Sequence, residues 1–134
     1  MRTNVRLPFL LSIIFCTPAC FPALLGVGAG VVISHEVLEN NTYVAHVSED
    51  AALTWAIARA SLTRQSDGPI TVDNDLRTAT GKIGDATVTT CVETYDDESC
   101  RLQVSARSLG LNDGPSAEAA LHQILADLDE AAPK

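Results

Sequence analysis

The sequence predicts an α+β two-layer sandwich, in which two helices pack on one face of an antiparallel sheet of about three to four strands. Three observations predict it. Apolar residues recur with a helical period after Ser48, the period changes to two between Ile70 and Leu109, and the helical period returns from Ala117 to Leu128. A helix, several successive strands and a second helix pack most economically with both helices on the apolar face of the sheet.

Length and charge limit the organisation of the chain and its partners. The 134 residues suffice for one domain with a modest core. We divide the chain into a signal over residues 1–19, an apolar Gly-rich spacer over 20–39, a single domain over 40–131 and a tail over 132–134. The formal net charge of -8 disfavours nucleic acid as a partner, because contacts with phosphates need a basic surface.

The N-terminal stretch has the three parts of an export signal. Arg2 and Arg6 form a positive front, residues 7–15 form an apolar centre, and the small residue Ala19 stands before Cys20. A cysteine in this place resembles bacterial lipoprotein signals, in which the cysteine thiol is diacylated after cleavage. The resemblance implies cleavage between Ala19 and Cys20 and attachment to the lipid bilayer through an acylated Cys20.

Two alternatives to a lipoprotein signal remain, an uncleaved membrane anchor and ordinary secretion. No charged residue lies between Arg6 and Glu36, and a membrane span needs only about 20 apolar residues. Three prolines in the first 22 residues disfavour one continuous spanning helix. Phe21 follows the cysteine, where lipoproteins retained in the inner membrane commonly have Asp. The resemblance therefore implies the outer membrane, with the domain facing the periplasm.

A strand and a helix are predicted at the start of the domain. Residues 43–47 have the alternating pattern of a short strand. Ser48 is the predicted N-cap of the helix, because the acids Glu49 and Asp50 after it are favourable in a first turn. The Asp-Gly-Pro sequence at 67–69 is predicted to end the helix.

The predicted buried stripe of this first helix consists of Leu53, Ile57 and Ala60. The single tryptophan, Trp55, lies beside this stripe in the sequence. We expect Trp55 in or beside the interface between helix and sheet, in contact with Leu53, Ile57 and the strand face that contains Val88.

The region after the first helix is predicted to form strands over residues 70–74, 78–83, 86–95 and 100–109. The last two strands have apolar residues at alternate positions, which predicts one packed and one solvated face. The polar positions between them are Thr87, Thr89, Glu93, Arg101, Gln103, Ser105 and Arg107.

The hairpin formed by these two strands contains Cys91 and Cys100, the two cysteines that remain if Cys20 is acylated. An isolated pair in the oxidising periplasm predicts a disulfide. A three-residue turn at 96–98 would, however, place Cys100 in the core and Cys91 on the other face, because it pairs Val92 with Leu102. We therefore predict the disulfide together with a β-bulge between the two cysteines, which would restore their parity.

The chain is predicted to break at residues 111–115 and to end in a second helix. The apolar residues of this helix recur on one face. They are Ala117, Leu121, Ile124, Leu125 and Leu128.

The whole order of elements resembles a family of small bacterial lipoproteins known only as a domain of unknown function. The likeness lies in Cys20 with its Gly/Ala-rich run, Tyr43 ahead of a helix with Trp55, the Gly-Lys-Ile strand at 81–83, the Val/Thr-rich hairpin and the closing helix. It covers nearly all of the mature chain and implies no activity.

Motifs for catalysis, metals and cofactors are absent from the sequence. His35, His46 and His122 lack the paired spacing of a zinc site. The Asp-Asn-Asp run at 73–75 begins like a calcium loop, but the required Gly and Glu are replaced by Thr78 and Gly84. We therefore predict no catalytic residue, no metal site and no cofactor, and interpret the acids at 73–75 as a turn or a strand edge.

Two classes of function remain. The first is a non-catalytic envelope lipoprotein that binds a partner protein, or another wall or membrane component, through the solvated sheet face or the acidic turn at 96–98. The second is a ligand-binding or enzymatic periplasmic domain whose site forms only in three dimensions. A deep pocket with convergent polar groups would favour the second class, and a filled two-layer core would favour the first.

Overall fold

A computed structural model describes residues 32–132 of the chain and the side chains from residue 36 onward. The predicted signal over 1–19, cleavage between Ala19 and Cys20, and acylation of Cys20 lie outside the described residues.

The described chain forms one antiparallel sheet and two helices. In space the strands follow the order β1-β2-β6-β5-β4-β3, and the short β7 pairs with β6. The bounds are β1 Val32–Leu38, β2 Thr42–Val47, α1 Ala51–Gln65, β3 Thr71–Asp73, β4 Thr78–Ile83, β5 Ala86–Thr94, β6 Cys100–Ser108, β7 Leu111–Asn112 and α2 Gly114–Ala131.

The predicted α+β class with two helices and an antiparallel sheet is confirmed, but the predicted size of the sheet is wrong. The sheet has 7 strands, not three to four. β2 to β6 correspond to the five strand segments predicted along the chain, and the other two strands lie where the sequence gave no strand signal. β1 falls in the predicted spacer, and β7 is too short for its alternation to be recognised.

The predicted start of the domain at Asn40 is also wrong, because β1 pairs with β2 in a hairpin. Glu39–Asn41 forms the turn between these strands, and Asn40 and Asn41 have φ of 67° and 54°. Asn adopts this left-handed backbone more readily than most residues. The residue expected at a domain boundary is therefore the turn of the first hairpin.

The β5–β6 hairpin has the register that the sequence predicts, with Val92 opposite Leu102 and Glu93 opposite Arg101. The predicted disulfide and bulge are wrong. Pairing is unbroken from Ala86–Ser108 to Thr94–Cys100, and both Cys91 and Cys100 are free thiols. Strict alternation along both strands places Cys91 and Cys100 on opposite faces, where no bridge can form.

The core lies between the sheet and the two helices. The predicted face of α2 is confirmed, since Ala117, Leu121, Ile124, Leu125 and Leu128 are all at most 1% exposed. The strand residues that face the helices include Val88, Val92, Leu102, Val104 and Ala106.

The predicted orientation of α1 is wrong in part. Trp55 lies in the helix–sheet core with Val88, as expected, but the buried face of the helix is not the Leu53–Ile57–Ala60 stripe. Leu53 and Ile57 are half-buried and Ala60 is exposed. The buried residues are Ala51, Thr54, Trp55, Ala58, Ser61 and Leu62.

The N-cap of α1 is Asp50, not the predicted Ser48. The Asp50 carboxylate accepts a hydrogen bond of 2.8 Å from the Leu53 backbone N–H, and the Asp50 carbonyl oxygen accepts one from the Thr54 N–H. Asp is as strong an N-cap residue as Ser, so residue type alone could not show whether Ser48 or Asp50 is the N-cap.

Candidate functional site

The face of the sheet opposite the helices, called here the helix-free face, is the main candidate site. It contains the strand residues that alternate with the core residues. None of the seven residues that the sequence places on the solvated face of β5 and β6, from Thr87 to Arg107, is buried. The prediction of one packed and one solvated face is therefore confirmed.

Arg101 links three strands across this face. Its guanidinium nitrogens lie 3.7 Å from a carboxylate oxygen of Glu36 on β1 and 3.7 Å from one of Glu93 on β5. To reach Glu36, the Arg101 side chain crosses β2, where Val44 pairs with Glu36 and is fully buried. The Arg101 side chain is 30% exposed and each glutamate about half exposed, so these ion pairs contribute little stability.

Two aromatic rings extend the same surface. His46 pairs with Arg101 across β2 and β6, and its ring meets Tyr95 edge to face with centroids 6.1 Å apart. Tyr95 is 72% exposed. Tyrosine and arginine are both enriched in protein-binding surfaces, and Tyr95 and Arg101 lie on the same face of the sheet.

The acidic turn at 96–98 joins β5 to β6 directly beyond Tyr95. The Tyr95 and Asp96 N–H groups both donate to the Ser99 carbonyl, and the Asp96 carboxylate accepts from the Glu98 N–H. Hydrogen bonds from the Ser99 side chain and the Glu98 backbone lower the pKa of Asp96. A shallow depression of about 320 Å³ is lined by Asp96, Asp97 and Glu98. The turn thus presents three carboxylates beside the Tyr95 ring.

The two thiols occupy different environments. Cys100 is fully buried, and its Sγ donates to Thr54 Oγ1 at 3.2 Å. Burial raises the pKa of the Cys100 thiol, so it remains protonated at neutral pH. Cys91 lies half-buried on the helix-free face, with its Sγ 3.9 Å from the Leu76 carbonyl oxygen.

The remaining polar residues that the sequence singled out are separated by the fold. His46 lies on β2 and His122 on α2, and within residues 32–132 no group of three or more His, Cys, Asp or Glu could hold a metal ion. The Asp73 carboxylate accepts hydrogen bonds from the Asp75 and Leu76 N–H groups. The interpretation of these acids as a turn is thereby confirmed.

A second concave feature lies between the helices. This groove of about 370 Å³ is lined by Ile57, Ala60, Arg64, Asp127, Glu130 and Ala131. An ion pair of 2.5 Å joins Arg64 to Asp127. Partial burial would raise the pKa of Asp127, but hydrogen bonds from Ser61 and Gln123 and the charge of Arg64 together lower it.

Sequence reasoning missed the contacts that depend on β1 and on the helix groove. Glu36 reaches Arg101 only because β1 joins the sheet, and residues 20–39 gave no strand signal. The Arg64–Asp127 pair spans 63 positions of the chain, a separation for which local patterns have no signal.

A scan against protein-family models and a search of curated proteins found no match to this chain. The resemblance to small bacterial lipoproteins therefore stays a prediction. Neither helix within residues 32–132 is both long and apolar enough to cross a membrane.

Proposed function

We propose that the chain is a small lipid-anchored protein of the bacterial cell envelope that binds a partner protein and catalyses no reaction. The anchor is the acylated Cys20, and the domain faces the periplasm from the outer membrane. The positive front, the apolar stretch and the Ala19–Cys20 junction support this location.

One observation favours binding by a surface over chemistry in a pocket. The space between sheet and helices is filled, since each residue of the core cluster is at most 8% exposed. The helix-free face, in contrast, presents Tyr95, Arg101 and the acidic turn at 96–98 to solvent. We infer that the partner binds this face and has basic residues opposite the turn.

Acylation is tested by mass spectrometry of the full-length protein purified from membranes of a bacterial host. We expect a mature chain that starts at an acylated Cys20 and that floats with membranes. Cys20→Ser should abolish acylation and membrane association, and Cys16→Ser is the matched control that should leave both unchanged. A mature terminus elsewhere, or an unmodified Cys20, would contradict the proposed anchor.

Partner binding is tested by in-cell photocrosslinking from a crosslinkable residue at Tyr95. Leu111 is the matched control position, because the two side chains are similarly exposed, at 72% and 74%. We expect one specific adduct from position 95 and none from position 111, and loss of the adduct in an Arg101→Glu variant. Equal labelling from both positions would refute the helix-free face as the binding surface.

A further inference from the structure

The chain enters the sheet at the same end as the acidic turn. Val32, where the described chain begins, pairs with Val47 on β2, Val47 pairs with Cys100 on β6, and Cys100 pairs with Thr94 on β5. These four residues form one row across the sheet, and we call this end of the sheet the entry end. Neighbouring strands lie about 4.8 Å apart, so the chain enters about 14 Å from Thr94 and the turn that follows it.

Two side chains of the helix-free face lie near the same point of entry. The Tyr95 ring meets the ring of His46, and the His46 backbone pairs with Ser34 on β1. Arg101 forms an ion pair with Glu36, which is also on β1. The exposed groups that we assign to partner binding are therefore neighbours of the first strand.

The opposite end of the sheet, called here the far end, carries different turns. β6 runs from Cys100 to Ser108, a length of about 26 Å at the usual rise of a strand. The turn at Leu109 and Gly110 follows Ser108, and the turn at 84–85 lies at the same end because Ala86 pairs with Ser108. The two ends are thus separate surfaces with the length of a strand between them.

The length of chain before the sheet limits the distance between the entry end and a lipid anchor. Val32 is 12 positions after Cys20, and 12 residues span at most about 43 Å when fully extended. An acylated Cys20 would therefore hold the entry end within about 43 Å of the bilayer.

We propose that the entry end faces the bilayer and that the helix-free face binds a protein held in the same membrane. This inference rests on the proposed lipid anchor and on partner binding by the helix-free face. Two proteins attached to one membrane stay within reach of each other. The shared attachment raises their effective concentration without any new contact.

The charge of the entry end favours a protein over the lipid itself as the binding partner. The turn at 96–98 is entirely acidic, and Glu49 and Asp50 follow Val47 at the same end. Anionic headgroups would repel these carboxylates, whereas Lys or Arg side chains of a protein complement them. The Tyr95 ring, 72% exposed, adds a contact of the kind enriched in protein interfaces. The partner is therefore a membrane protein with a basic surface close to the bilayer.

Energy transfer in vesicles tests the orientation of the domain without any partner. The acylated full-length chain, in a Cys91→Ser background, carries a donor dye at Asp97→Cys on the entry end or at Leu109→Cys on the far end, and both positions are exposed. The acceptor dye is on the headgroups of phosphatidylcholine vesicles. We expect transfer from position 97 to be at least about twofold higher, because the two ends are about 26 Å apart. Equal transfer, or more transfer from position 109, would overturn the orientation.

A longer spacer tests the class of partner in cells. A proline-rich insert of about 20 residues between Gly30 and Val31 adds about 60 Å, and the same insert after Lys134 is the matched control. With the photocrosslinker at position 95, we expect the first insert to lower the adduct yield by about tenfold, since the volume open to the tethered domain grows steeply with its reach. The control insert should leave the yield unchanged.

The outcomes of the spacer experiment separate this inference from the proposed function. An adduct whose yield is unchanged by the longer spacer would overturn a partner in the same membrane, while binding by the helix-free face would stand. Absence of the adduct even with the natural spacer would overturn both. An unmodified Cys20 in the mass spectrum would remove the anchor and overturn the inference, whether or not an adduct forms.

Discussion

Helices α1 and α2 pack on the same face of the sheet, but only α2 was oriented correctly from its sequence. Every apolar residue predicted to face the core in α2 is buried. In α1 the predicted stripe of Leu53, Ile57 and Ala60 is half-buried or exposed, and the Trp55 side is buried. An apolar pattern therefore identifies the buried side of a helix only when the helix has a single apolar side.

The burial of the Trp55 side of α1 has a physical cause. Burial of Trp55 removes more apolar surface from water than burial of Ile57 would. The two polar residues on the Trp55 side are satisfied, since Thr54 accepts a hydrogen bond from the Cys100 thiol and Ser61 accepts one from Gln65. Satisfied hydroxyl groups cost little to bury, so the larger apolar area decides.

The largest difference in stability between two variants of α1 is expected between Trp55→Ala and Leu53→Ala. Removal of a buried Trp side chain should lower the free energy of unfolding by about 3 to 5 kcal/mol. Removal of the half-buried Leu53 should cost about 1 kcal/mol or less, because less apolar area is lost. Urea denaturation followed by circular dichroism measures both. If Trp55→Ala unfolds like the parent protein, the buried side of α1 is misassigned.

The N-caps should have equal and intermediate effects in the two helices. Asp50 caps α1, and Asp113 caps α2 by accepting from the Ser116 N–H at 3.1 Å. Asp50→Ala and Asp113→Ala should each cost about 1 kcal/mol. Ser48→Ala tests the competing assignment and should cost less than Asp50→Ala. If Ser48→Ala costs more stability than Asp50→Ala, the N-cap of α1 is Ser48.

The smallest effect is expected from the ion pair that joins the two helices. Because Arg64 is mostly exposed, we expect Asp127→Asn to cost under about 1 kcal/mol at neutral pH. The folded-state pKa of Asp127 is lowered, so its contribution is complete above the unfolded pKa of about 3.9 and is lost as pH falls through the folded value. The free energies of unfolding of the parent protein and the variant should therefore converge as pH falls from neutral to acid. A difference in the free energy of unfolding that is constant with pH would contradict this role of the Asp127 carboxylate.

The predictability of the fold follows from the range of the interactions involved. The bounds of β4 and the register of β5 with β6 were predicted because alternation and a short turn are local signals. β1 was missed because it directly follows an apolar, Gly-rich run, and its place in the sheet depends on pairing with β2. The disulfide was predicted from compartment chemistry against the strand parity, and in the structure the parity prevailed.

The candidate site was predictable only in part. The solvated side of β5 and β6 followed from alternation, and Arg101 and Glu93 were placed there correctly. The approach of Glu36 and the contact of His46 with Tyr95 depend on the order of strands in space, which local sequence patterns do not specify. The groove beside α1 was hidden for the same reason, since its walls come from both helices.

The orientation of α1 is the central structural claim, and a matched pair of alanines tests it most directly. Ala58 is fully buried in the core, and Ala56, two residues earlier on the same helix, is exposed. The free energy of unfolding of the monomer should fall by more than about 4 kcal/mol in Ala58→Asp, because an unpaired charge would enter the core. It should change by less than about 0.5 kcal/mol in Ala56→Asp. Equal losses in the two variants, or a larger loss in Ala56→Asp, would contradict this orientation of α1.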